Sequence, residues 1–158
     1  MSSLPAELII LLILVLINGA FSMAEIALVS SRKAKLRVEA ENGDAGAEKA
    51  LNLAEEPGSF LSTIQIGITL VGILSGAYGG ATVAKSLSAY LQQYPALRPY
   101  SDTLGLTVVV LAITYLSLVL GELVPKRLAL FKAERIATLA ARPVYYLSLA
   151  AYPLVWIL

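Results

Sequence analysis

The sequence predicts an all-α membrane protein: three transmembrane helices with broken or polar positions, short surface helices, and a C-terminal interfacial helix. Three observations lead there. The chain is 58% hydrophobic and 15% charged, where soluble domains carry about a quarter charged residues. Residues 8–24, 57–84, 103–121 and 143–158 contain no Asp, Glu, Lys or Arg, and the first three are long enough to cross a bilayer. The basic residues are also unevenly shared among the connections. Five follow the first span (Arg32, Lys33, Lys35, Arg37, Lys49) and five follow the third (Lys126, Arg127, Lys132, Arg135, Arg142), but only Lys85 and Arg98 lie between the second and third.

The first span is expected over about 6–29. It is not a cleaved signal peptide, because acidic Glu7 precedes the apolar run and no basic n-region is present. Residues 31–56 are rich in Ala, Leu, Glu and Lys and are interrupted at Asn42-Gly43-Asp44. They read as two short surface helices, about 31–41 and 45–55. The second span is expected over about 58–84 and the third over about 103–124. Between them Tyr90, Tyr94 and Tyr100 suit an interfacial belt. The last stretch, 143–158, is short for a span and carries Tyr145, Tyr146, Tyr152, Pro153 and Trp156. It reads as a juxtamembrane helix lying in the interface. Its apolar ending suggests a soluble part downstream that is absent here. The Lys/Arg bias places the N-terminus outside and the C-terminus in the cytoplasm. The whole is one transmembrane domain, 1–158.

The chain has neither His nor Cys. Most zinc, copper and iron–sulfur sites need imidazole or thiolate, and nucleophilic triads lose their usual base. No phosphate-binding glycine loop is present. Oxygen chemistry remains, and it suits Mg²⁺, Ca²⁺, Mn²⁺, Na⁺ and K⁺. The chain is not read as an enzyme or as a nucleic-acid binder.

The most informative stretch is Gly121-Glu122-Leu123-Val124-Pro125-Lys126. It sets a carboxylate at the end of an apolar span, where a charge is costly and marks a functional position by default. Pro125 has no N–H to bond the Gly121 carbonyl four residues back. A charged oxygen then lies beside a free backbone oxygen, a pairing that suits a hard cation. The alternative is that Glu122 marks the water interface and pairs with Lys126 at i+4. Asn18 and Ser22 share one face of the first span, with Glu25 three residues on. They are either interhelical glue or cation ligands. Gln65 and Thr69 share a face of the second span, which also carries the ladder Gly72, Gly76, Gly80. That ladder suits close helix packing inside a protomer or at a dimer seam.

Asn18-Gly19-Ala20-Phe21-Ser22-Met23-Ala24-Glu25 with Ser31-Arg32, Gln65-Ile66-Gly67-Ile68-Thr69, and Gly121-Glu122-Leu123-Val124-Pro125-Lys126 resemble the transmembrane domain of the CorC/CNNM (cyclin M) family. The likeness covers essentially the whole chain, with the motifs in order. It implies Mg²⁺ efflux coupled to Na⁺ by alternating access in a homodimer, embedded in the lipid bilayer of the cell (inner) membrane. It also implies cytoplasmic CBS domains that bind ATP, which this chain lacks. A membrane-embedded Mg²⁺ sensor without transport of its own is the alternative. The resemblance implies a metal site made from Asn18, Ser22, Gly121 and Glu122, to which Gln65 and Phe21 are added as candidates. Phe21 reads otherwise as a packing residue. Gln65 stands in for an Asn of animal members, and Asn18 stands where many relatives have Ser.

Overall fold

The structure, a computed structural model, describes residues 4–157, with side chains placed through residue 153. The Trp156 side chain, expected at headgroup level, and Leu158 lie outside what is described. Among the described residues eight α-helices follow one another: α1 (Leu4–Ser30), α2 (Lys33–Glu41), α3 (Ala45–Glu55), α4 (Pro57–Ala81), α5 (Val83–Leu91), α6 (Ser101–Leu118), α7 (Val124–Phe131) and α8 (Ala133–Ile157). A 3-10 turn, Arg98–Tyr100, precedes α6, and a π-helical turn, Val119–Leu123, joins α6 to α7. Among the described residues three helical stretches, Leu4–Ser30, Pro57–Leu91 and Arg98–Phe131, are long and apolar enough to cross a membrane.

The first span is unbroken. It runs for 27 residues as α1, through Asn18-Gly19, without interruption. The surface helices fall close to expectation. Gly43 turns the chain between them at φ 92°, a conformation that favours glycine. Asp44 then caps α3, its carboxylate accepting from the N–H groups of Gly46 at 2.8 Å and Ala47 at 3.1 Å. Pro57 starts α4 in the first turn, where its missing N–H costs nothing. The second span bends at Thr82, earlier than residue 84, and continues as α5, which packs along α6.

The C-terminal helix departs most from expectation. It begins at Ala133, ten residues before the apolar stretch at 143, and runs through Pro143. Charge obscures it in the sequence, because Arg135 and Arg142 interrupt the uncharged run. The helical period does not stop there. Ala133, Ala137, Ala141, Val144 and Ser148 are buried, three or four residues apart, forming one stripe on a helix that packs against α3, α4 and α1.

The core has two parts. One gathers Ala24, Ala27, Leu28, Leu36, Ala47, Ala50, Phe60, Ile64, Ala129, Ala137 and Ala141 where the surface helices meet α1, α4 and α8. The other, around Leu11, Val83, Ala84 and Val109, joins α1, α5 and α6. Alanine dominates the first, which lets helices approach closely where lipid removes most of the hydrophobic drive between them. Outward faces carry exposed Ile9, Ile13, Leu16, Ile73, Leu74 and Leu111, as lipid contact requires. The glycine ladder packs only in part. A Cβ on Gly72 or Gly76 would meet nothing within 4 Å, and one on Gly80 would only reach Leu106 at 3.7 Å. The tight glycine contacts of α4 are instead Gly79 against Ile113 and Gly67 against the Phe21 ring.

Candidate cation site

Gly121, Glu122 and Pro125 sit where the third span changes its winding. The π turn closes one residue later than an α turn, with the Val124 N–H bonded to the Val119 carbonyl. Pro125 follows at once and is buried. Its missing N–H removes the α-helical partner of the Gly121 carbonyl, and π turns of this kind recur at functional positions.

That carbonyl is not left free. Asn18 Nδ2 donates to it at 3.3 Å, so α1 supplies the bond that Pro125 withholds. The contact depends on two glycines. A Cβ on Gly19 would lie 2.9 Å from the Leu120 carbonyl oxygen and 3.0 Å from Pro125 Cγ, and one on Gly121 would lie 3.1 Å from Asn18 Nδ2. Pro125 therefore also makes a packing contact, on Gly19, which the sequence argument did not foresee.

The polar face of α1 is unfinished. Asn18 Oδ1 and Ser22 Oγ are buried and have no hydrogen-bond partner among the described residues. Ser22 is 1% exposed. Buried polar oxygens without partners are uncommon and costly. Nearby, Glu122 Oε1 accepts from Lys126 Nζ at 2.7 Å, and the same ammonium lies 3.9 Å from Glu25 Oε2. The i+4 ion pair is thus present, and it coexists with the unsatisfied oxygens. Among the described residues no three acidic side chains come together. A cation here would be held by one or two carboxylates and by neutral oxygens, an arrangement open to Mg²⁺ or Na⁺.

A groove of about 350 Å³ opens over Asn18 and Glu122. It is lined by Asn18 and Glu122, by Gly72 and Gly76 of α4, and by Thr114 and Ser117 of α6. The two unpacked glycines leave its α4 wall low. Ser117 was missed in the sequence, although it precedes Gly121 by four residues and so shares its helix face.

The structure gathers Asn18, Gly121 and Glu122 and keeps Ser22 on the same face of α1. It does not bring Gln65 to them. Gln65 is exposed and lines a separate depression with Ser62, Thr69 and Glu25. The Phe21 ring packs over Gly67 and lines an apolar cavity against α8.

Relatives match along nearly the whole chain. A cyanobacterial protein of Synechocystis sp. (strain ATCC 27184 / PCC 6803 / Kazusa), UPF0053 protein sll0260, is 50% identical over 157 residues, 99% of this chain and 35% of its own. The polyamine export protein of Escherichia coli (strain K12) is 31% identical over 95% of this chain and 33% of its own. UPF0053 protein YrkA of Bacillus subtilis (strain 168) is 32% identical over 96% of this chain and 35% of its own. The chain therefore spans about a third of the length of these relatives. The model of the cyclin M transmembrane N-terminal domain matches residues 9–158, and this chain, a membrane domain of three spans, belongs to that CNNM family.

Proposed function

We propose that the domain carries Mg²⁺ across the membrane, coupled to Na⁺, by alternating access in a homodimer, with its N-terminus outside. One observation carries this reading. Asn18 Oδ1 and Ser22 Oγ are buried without partners among the described residues, and Asn18 lies against a π turn that carries Gly121 and Glu122. A cation would satisfy both oxygens. Rotation of the Asn18 amide would release the Gly121 carbonyl and offer Oδ1 to the same ion. Glu122 would supply the charge and bound water the remaining ligands, since Mg²⁺ keeps several waters. Gln65 and Phe21 stand apart from this set; Gln65 belongs instead with Glu25 on the neighbouring depression.

The charges favour exchange. Glu122 and Glu25 with Lys126 sum to one net negative charge, enough for Na⁺ and short for Mg²⁺ in a medium of low dielectric. A site so balanced binds the divalent ion without trapping it, as a carrier requires.

A second reading has its own support. Lys126 Nζ is a primary alkylammonium held by two carboxylates, and relatives named polyamine export protein match nearly the whole chain. On that reading the cargo is a polyamine, whose terminal ammonium takes the seat of Lys126.

Flux into proteoliposomes decides between them. With an opposing Na⁺ gradient, Mg²⁺ uptake that stops when the gradient is removed supports the first reading. Uptake of a radiolabelled diamine without Mg²⁺ uptake supports the second. Mg²⁺ binding with no flux of either would make the domain a sensor.

A further inference from the structure

Lys126 occupies an unusual place. It is the only basic side chain paired with Glu122 among the described residues, and it points toward a second acid as well. Its ammonium is 2.7 Å from Glu122 Oε1 and 3.9 Å from Glu25 Oε2. Glu122 comes from the π turn and Glu25 from α1, so the lysine stands between the two elements that would enclose a cation. The positions differ in kind. Glu122 lines the groove with Asn18, whereas Glu25 lines the other depression, with Gln65.

We infer that Lys126 is a tethered counter-ion that sits on Glu122 when the site is empty and passes to Glu25 when a cation arrives. The inference rests on the reading of Glu122 as a cation ligand and names the residue that regulates it. Three features support it. An arriving Mg²⁺ and the ammonium would compete for the same carboxylate, and like charges at that distance repel. The lysine stem is flexible and carries a point charge, so a shift of an ångström or two converts the 3.9 Å approach into a direct pair. Its side chain is 32% exposed, so it is free to move. The exchange keeps Glu122 neutralised in both states. It thereby avoids an uncompensated carboxylate at the end of a span, which would be costly.

The exchange sets a threshold as well as a path. Cargo must displace an internal ammonium, so affinity is lower than the oxygen ligands alone would give. Glu25 assists without touching the ion, because it receives the lysine. Glu25 and Lys126 are therefore positioning residues on this account.

The test uses the full chain in lipid nanodiscs, with Mg²⁺ as the probe and choline chloride holding the ionic strength. The first readout is the rate at which an amine-specific reagent modifies Lys126, followed by mass spectrometry. Saturating Mg²⁺ should change that rate by at least about twofold, as expected for an ammonium that changes partner. The second readout is Mg²⁺ affinity. Lys126→Met should tighten it by about threefold or more, the size expected from removing a partly exposed ion pair. Glu25→Gln should weaken it by about threefold in the natural background and have no effect in Lys126→Met, a coupling that a double-mutant cycle isolates. If Glu25 acted directly on the ion, its loss would weaken binding equally in both backgrounds, and the inference would fail. Mg²⁺ binding by the natural chain with an unmoved Lys126 modification rate would also overturn it while leaving the cation site intact. No Mg²⁺ binding at all would remove the underlying site, and the inference with it. The modification rate needs no substitution, so the test survives a variant that fails to fold.

Discussion

Of the carboxylates that basic side chains hold, Glu134 and Glu122 have different surroundings. Glu134, near the start of α8, accepts from Arg32 Nε at 2.7 Å and lies 3.6 Å from Lys35 Nζ. Its backbone and the Arg32 guanidinium hold its carboxyl down at about 2, the side-chain hydrogen bond from Arg32 contributing most. It joins α8 to the start of α2 and leaves nothing unfinished around it. Glu122 also has an ion pair, with Lys126, but its pair stands beside a carbonyl that a proline has deprived of its helical partner and beside two buried oxygens with none. A closed network fastens helices together. An open one keeps room for something else.

Removing each charge should break the comparison most sharply. Glu122→Gln is expected to lower Mg²⁺ affinity by roughly 100-fold, because it deletes the charge of the third span in a medium of low dielectric. Glu134→Gln should leave affinity unchanged. Isothermal titration on both folded variants checks this, and equal losses would erase the distinction.

The next effect is steric. Gly19→Ala sets a Cβ 2.9 Å from the Leu120 carbonyl oxygen, which is backbone and cannot swing aside. It should destabilise the domain by about 1–3 kcal/mol and weaken Mg²⁺ binding with it. Gly72→Ala, which meets nothing within 4 Å, should be neutral or stabilising by up to about 1 kcal/mol, since alanine favours helix. Thermal melts of the pair measure the difference.

Pro125→Ala comes third. It restores the N–H that can bond the Gly121 carbonyl and draw it from Asn18, so Mg²⁺ affinity should fall by about tenfold. The melting temperature should change little, because the lost contact on Gly19 and the regained helical bond offset one another. Natural affinity in a folded Pro125→Ala domain would mean that the backbone argument is wrong.

The smallest effect belongs to the closed network. The Glu134 carboxyl is lowered from 4.5 to about 2. A depressed acid contributes stability that is present above its unfolded pKa and lost as pH falls through its folded one. The natural chain should therefore lose a small increment of stability between about pH 4.5 and pH 2. Glu134→Gln should lack that increment at every pH. Melting curves across the range give both lines, and identical slopes would show that the pair contributes nothing.

Much of this comparison could be read from residues alone, and the reasons it stopped are physical. The spans were legible because lipid demands uncharged length, and the Gly121–Pro125 argument was legible because a proline's missing N–H is a local fact. The helix from Ala133 was hidden, since Arg135 and Arg142 ended the apolar run while an alanine stripe continued at helical period. Gln65 was grouped with Glu122 through resemblance. Its distance from Glu122 depends on how α4 turns against α1, which no local pattern encodes. Ser117 lay within reach of the same spacing argument that found Ser22. The place of Lys126 between two acids depends on bringing α1 beside the π turn. The close approach of Gly19 to Leu120 and Pro125, and of Gly121 to Asn18, does that.

The most direct test replaces Mg²⁺ with Mn²⁺ in crystals of the domain and reads anomalous scattering. The account predicts a peak about 2.1–2.2 Å from Glu122 and from the Gly121 carbonyl, with Asn18 Oδ1 or Ser22 Oγ completing the contact. A peak beside Glu134, or none near Glu122 at saturating Mn²⁺, would contradict it.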